Sequence, residues 1–193
     1  MSGGLLRASL HGEVLLAAFL MSGCGPLKTT VPAQMGFEVP GTGLLGVDNP
    51  LTEDEAFPAD QVGATLGEAL AQSIDASGHE KDAVSSLILD ELTLTVLDPE
   101  ERGVVLRDLG ILEKLTVFLG APGEPLRVAE SAPDAFASRP TAYDMPTTRA
   151  ELVEALQGSD TLELSAEVVP GRRPELATKV QIDATLEVEI SLW

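Results

Sequence analysis

The chain has 193 residues, with 31 Asp and Glu against 12 Lys and Arg, a formal charge of −19, 44% hydrophobic residues and one Cys. That length suits one domain with a real core. So acidic a balance argues against nucleic acid, whose phosphates call for Lys and Arg, and against adhesion to anionic lipid through a basic patch, while a lone Cys excludes an internal disulfide framework and a cysteine zinc cluster.

The first 24 residues, MSGGLLRASLHGEVLLAAFLMSGC, hold Arg7 and His11, then an apolar run from Val14 to Met21, then Ser22-Gly23-Cys24. Eight apolar residues make about 12 Å of helix, well short of a ~30 Å hydrocarbon core, so the run suits an export signal rather than a span. Met21-Ser22-Gly23-Cys24 resembles a bacterial lipobox, in which small residues precede a Cys that is lipidated and becomes the mature N-terminus. The resemblance implies a signal peptide over 1–23, lipidation at Cys24 and a membrane held through its lipid anchor. Several acyl chains anchor stably where one is marginal. In the enterobacterial pattern of that family Gly25 rather than Asp after the Cys permits outer-membrane sorting, so the expected place is the outer membrane, on the periplasmic or surface side of the cell envelope.

After Cys24 the Gly- and Pro-rich GPLKTTVPAQ reads as a tether over 24–33, leaving 34–193 as the single domain. A first short strand is expected over Gln34–Pro40, followed by a loop through Pro58. Val62, Leu66, Ala69, Leu70 and Ile74 at helical spacing predict a helix from Pro58 to Asp75, stopped at Gly78. Leu87–Leu97 reads as a strand with Leu92, Leu94 and Val96 on one face, then a turn-rich loop over Asp98–Gly103. Strands follow over Ile111–Leu119 and Pro125–Glu130, then an irregular connection over Ser131–Met145. Thr148-Arg149-Ala150-Glu151 fits a capping box opening a short helix that stops at Gly158.

Thr161–Val169 and Lys179–Trp193 alternate strictly. In the second, Val180, Ile182, Ala184, Leu186, Val188, Ile190 and Leu192 oppose Gln181, Asp183, Thr185, Glu187, Glu189 and Ser191. Such alternation puts one face in a core and one in water. Pro170-Gly171-Arg172-Arg173-Pro174 between them is long enough for an antiparallel return. The sum is a mainly β chain: an antiparallel β-sandwich with one or two short helices. The run KDAVSSLILDELTLTVLDPEE followed by LEKLTVFLGAPGEPLRVAES is similar to bacterial envelope lipoproteins with a small β-sandwich, a resemblance over about Asp75–Trp193 that implies no activity and no functional residues.

Chemistry is sparse in the pattern. Beyond His11, His79 is the other histidine, and Ser77-Gly78-His79-Glu80 reads as a polar turn rather than a nucleophile with its base. Gly41-Thr42-Gly43 lacks the Lys of a phosphate loop and reads as a flexible bend. The acidic stretches Thr52–Glu55 and Asp98 with Glu100 and Glu101 lack EF-hand spacing. No catalytic, metal or cofactor site is therefore expected, and the chain reads as a non-enzymatic, membrane-anchored envelope lipoprotein with a structural or binding role. The alternative is an envelope hydrolase using a carboxylate pair on loops near Asp98 or Asp134. Phe136, Tyr143 and Trp193 are the candidate contacts for an envelope protein partner.

Overall fold

The strictest alternation in the sequence becomes the centre of a sheet. In the computed structural model, which describes residues 26–42, 50–101, 103–159 and 162–191, β9 (Thr178–Ile190) lies between β1 (Leu27–Val39) and β2 (Val84–Leu97), antiparallel to both. A short strand, β7 (Ala142–Asp144), pairs with Thr93–Thr95 of β2 and completes the order β1-β9-β2-β7. Every second residue of β9 is buried, from Val180 to Ile190. Opposite them Gln34 holds Asp183, and Lys28 pairs with Glu187 and Glu189, so these acids stand on a partly solvated outer face.

β2 keeps its apolar residues inward by a bulge. Leu87 and Leu89 are buried at odd positions, Leu92, Leu94 and Val96 at even ones, and the register with β9 shifts between Leu89 and Glu91. One extra residue flips the parity, which would otherwise send half of the strand's leucines into water.

A second sheet, ordered β6-β5-β8, is formed by β5 (Leu112–Ala121), β6 (Glu124–Glu130) and β8 (Glu163–Pro170). A small hairpin of β3 (Glu100–Glu101) and β4 (Val104–Val105) occupies part of the expected loop after β2. Apolar faces of both larger sheets enter one core cluster, together with Val62, Leu66, Leu70 and Ile74 of the helix α2 (Ala59–Ser77). Two shorter α-helices, α1 (Glu53–Ala56) and α3 (Val153–Gly158), and two single-turn 3-10 helices, Lys81–Ala83 and Leu109–Ile111, complete the elements of the described residues.

Several expectations need correction. Residues 27–33, expected as a tether, are hydrogen-bonded strand, because β9 offers partners as far as Ile190. β8 and β9 do not pair with each other; the segment between them crosses from one sheet to the other. Gly41 sits against backbone, with Glu175 O only 2.7 Å from where a Cβ would stand, and the Thr42 N–H donates to Pro174 O at 2.9 Å, so the expected flexible bend is fixed at that point. The Thr148 hydroxyl donates to Arg127 O instead of capping a helix, while Glu151 turns to β2. A capping box forms instead at Thr52 and Glu55, at the start of α1, within the stretch expected to be loop.

Candidate functional site

α2 is amphipathic in an uneven way. Its stripe of Val62, Leu66, Leu70 and Ile74 is buried, and Gly63 lies hard against β8: a Cβ there would come within 2.9 Å of Leu164 Cβ. The neighbouring stripe, at positions 60, 64, 67, 68, 71 and 75, has the same three- and four-residue spacing but faces a cleft of about 1220 Å³. Here the helix presents Ala64, Gly67 and Ala71, so its backbone stands close to the open space.

The far wall comes from distant parts of the chain. Leu162 and Leu164 at the start of β8, Ala121 and Pro125 at the β5–β6 turn, and Leu156 of α3 supply apolar surface. The acidic residues of the lining are Asp60, Glu68, Asp75, Glu80, Asp82 and Glu163. Among the described residues none of these six forms a salt bridge. Lys81 also lines the cleft, its ammonium donating to Ser159 O at 3.3 Å, and His79 follows the left-handed Gly78 that ends α2. The site is thus an apolar trough bordered by negative charge. It suits a ligand with an apolar body and cationic groups, and disfavours fatty acids, nucleotides and anionic headgroups.

The residues singled out by sequence are placed elsewhere. Phe136 is 2% exposed and packs edge-to-face on Tyr143, with ring centroids 5.1 Å apart. That corrects its expected role as a surface contact, since its ring fills the core. The Tyr143 hydroxyl accepts the Ala132 N–H at 2.9 Å. Cys24 and Trp193 lie outside the described residues. Asp98 and Asp134 each adopt a left-handed backbone conformation on exposed turns. The Ser77 hydroxyl donates to Ile74 O at 2.6 Å, a bond internal to its own helix.

Glu55, in one of the two acidic stretches that lack EF-hand spacing, has its carboxylate committed. The Thr52 N–H, above all, and the Arg173 guanidinium hold its pKa below the ordinary carboxylate value. Among the described residues no group of three or more His, Cys, Asp or Glu is placed to hold a metal ion, and no helix is long and apolar enough to cross a membrane.

An exposed apolar surface also escaped the sequence reading. Val104 and Val105 on β4 are 57% and 50% exposed, with exposed Leu106 next in the chain and exposed Leu97 at the end of β2. Two adjacent exposed valines break the alternation that would have hidden one of them, but the composition of the segment reads as a turn. No protein family, curated protein or solved structure matches the chain.

Proposed function

We propose that the chain is a lipid-anchored binding protein of the bacterial cell envelope, fastened through Cys24 to the outer membrane and acting by binding rather than by bond-making chemistry. The observation that carries the binding role is the apolar cleft along α2, large and walled by three separate parts of the fold. A trough of this size beside a stiff helix is a common form of ligand or peptide site. The two larger sheets are read as the layers of a β-sandwich, supported by the joint entry of their apolar faces into one core.

The anchor reading is supported by the lipobox-like Met21-Ser22-Gly23-Cys24. β1 begins at Leu27, three residues beyond Cys24, opposite Ile190 at one end of β9. The exposed β3–β4 hairpin follows Leu97, opposite Lys179 near the other end. Eleven residues of strand separate those levels, about 36 Å at ~3.3 Å per residue. A lipid at Cys24 therefore sets the valine-bearing hairpin at the membrane-distal end.

Metabolic labelling with radioactive palmitate tests the anchor. The natural chain should take up label and shorten by its signal segment, globomycin should block that shortening, and Cys24→Ala should carry no label. An unlabelled, unprocessed natural chain overturns the anchor.

A further inference from the structure

We infer that the cleft along α2 takes a cationic amphipathic helix of a partner protein, an inference that rests on the binding role proposed above and names its ligand class. Three independent features converge. The first is shape: cleft-lining positions run from Asp60 to Asp75, about 22 Å at 1.5 Å per residue, which matches about four turns of a second helix laid alongside.

The second feature is Gly67. A glycine inside a helix costs about 1 kcal/mol relative to alanine, and a close neighbour usually accounts for it, as Leu164 does for Gly63. At Gly67 nothing lies within 4 Å of where a Cβ would stand. The described fold makes no use of that bare backbone, whereas a docked helix would approach closely over Gly67 between Ala64 and Ala71.

Charge is the third feature and decides the sign of the partner. Asp60, Glu68 and Asp75 of α2 line the cleft, Glu163 stands on the β8 wall, and Glu80 and Asp82 flank Lys81, whose ammonium donates to Ser159 O. None is neutralised by a salt bridge among the described residues. Lys or Arg flanking the apolar face of the incoming helix would find these carboxylates, and an acidic helix with the same apolar face would be repelled.

The probe is a fluorescein-labelled 18-residue leucine/lysine amphipathic helix, with a leucine/glutamate helix of the same pattern as its counterpart. Both are titrated by anisotropy into the full chain carrying Cys24→Ala, which stays unlipidated. Failure of the anchor then leaves this measurement untouched, and failure here leaves the palmitate result untouched. The leucine/lysine helix should bind at least about tenfold more tightly than its counterpart, and raising salt from about 50 to about 500 mM should weaken it severalfold. Gly67→Trp, which fills the trough, should weaken binding by at least about tenfold, and Gly67→Ala, whose methyl stands in the path of the close approach, should weaken it by a smaller but measurable factor of about three. Glu68→Gln with Asp75→Asn should weaken it more than Glu38→Gln with Glu91→Gln, which removes equal charge outside the cleft.

Equal binding of both helices, no binding of either, indifference to Gly67→Trp, or equal loss in the two charge-matched doubles overturns the inference. So does sedimentation of the chain as a dimer that Gly67→Trp dissolves, since the occupant is then a second copy. Probe binding that appears only after residues 1–23 are removed assigns the cleft to the chain's own leader and likewise overturns it.

Discussion

Glu151 completes the open edge of β2 at Leu87: its Oε1 accepts the Leu87 N–H at 2.6 Å, while the adjacent Leu152 N–H donates to Leu87 O at 2.8 Å. The Ser86 hydroxyl donates to the other carboxylate oxygen at 2.6 Å. Around this pair the segment from Met145 to Gln157 behaves as a missing strand. The Met145 N–H serves Leu92 O, the Thr147 hydroxyl serves Asp90 O and the Gln157 amide serves Val84 O. An edge strand left bare invites pairing with another chain, and a covered one does not.

Removing the carboxylate should therefore destabilise the whole sheet. Glu151→Ala leaves the N–H of fully buried Leu87 without its partner, at a cost of about 1–3 kcal/mol by urea unfolding. Burial alone would raise the Glu151 pKa, but the N–H of Leu87, the Ser86 hydroxyl and the N–H groups of Val153 and Leu152 together hold it below the ordinary carboxylate value. A lowered folded pKa gives stability that is complete above the unfolded value and is lost as pH falls through the folded one. The stability gap between the natural chain and Glu151→Gln should thus be constant above about pH 5.5 and shrink on further acidification. A gap that widens in acid contradicts this account.

Two glycines one helical turn apart should respond to alanine with opposite signs. At Gly63 the new Cβ would stand 2.9 Å from Leu164 Cβ and 3.2 Å from its backbone N, so α2 must lift from β8 at a cost of about 1–3 kcal/mol. At Gly67 the same methyl meets open space and only improves the helix, a gain of about 0.5–1 kcal/mol. Paired urea titrations of the two variants decide it; the same sign at both would remove the distinction between packed and open faces of α2.

What was legible in the sequence follows from what burial enforces. β9 could be read because each inward position from Val180 to Ile190 is apolar and each outward one between them is polar, and one face meets the core. The β2 bulge could not, since the parity change at Asp90 is visible only against β9. Glu151 sits at capping-box spacing from Thr148, yet the stronger claim on its carboxylate came from an edge 64 residues away. β7 is three residues long and exists through its pairing with Thr93–Thr95. The cleft was invisible for the same reason: α2, β8 and the β5–β6 turn each look ordinary alone, and only their docking places bare helix opposite apolar wall.

Arg173 ties the start of α1 to the crossing between the sheets. Its Nη2 donates to Glu55 Oε2 at 2.8 Å and to Pro50 O at 3.0 Å, and its side chain is 14% exposed. Arg173→Met should lower the melting temperature by a few degrees, keeping the stem's packing while losing these bonds. The Glu55 pKa should rise in the variant and still remain below the ordinary value, because the Thr52 N–H, its largest support, is untouched. Carboxyl-carbon NMR titration reads this directly; an unchanged Glu55 pKa would mean that Arg173 does not reach it in solution.

The most demanding backbone position is Gly171, where the chain leaves β8 for β9. Its N–H donates to Ile111 O at 2.7 Å, and the next N–H, of Arg172, donates to Gly110 O at 3.0 Å, so two backbone segments lie directly on each other. Asp108 clamps the arrangement from both sides, accepting the Gly110 N–H at 2.8 Å and the Arg172 Nη2 at 2.6 Å. A Cβ on residue 171 would stand 2.4 Å from Gly110 O and 3.0 Å from the carbonyl carbons of Ile111 and Leu112. No side chain is there to swing aside; the peptide planes themselves must part. Gly171→Ala should therefore cost about 3 kcal/mol or more in urea unfolding, more than Gly63→Ala, whose closest approach is the looser 2.9 Å. A change below about 0.5 kcal/mol, the level of an ordinary surface substitution, would contradict so close a backbone crossing at Gly171.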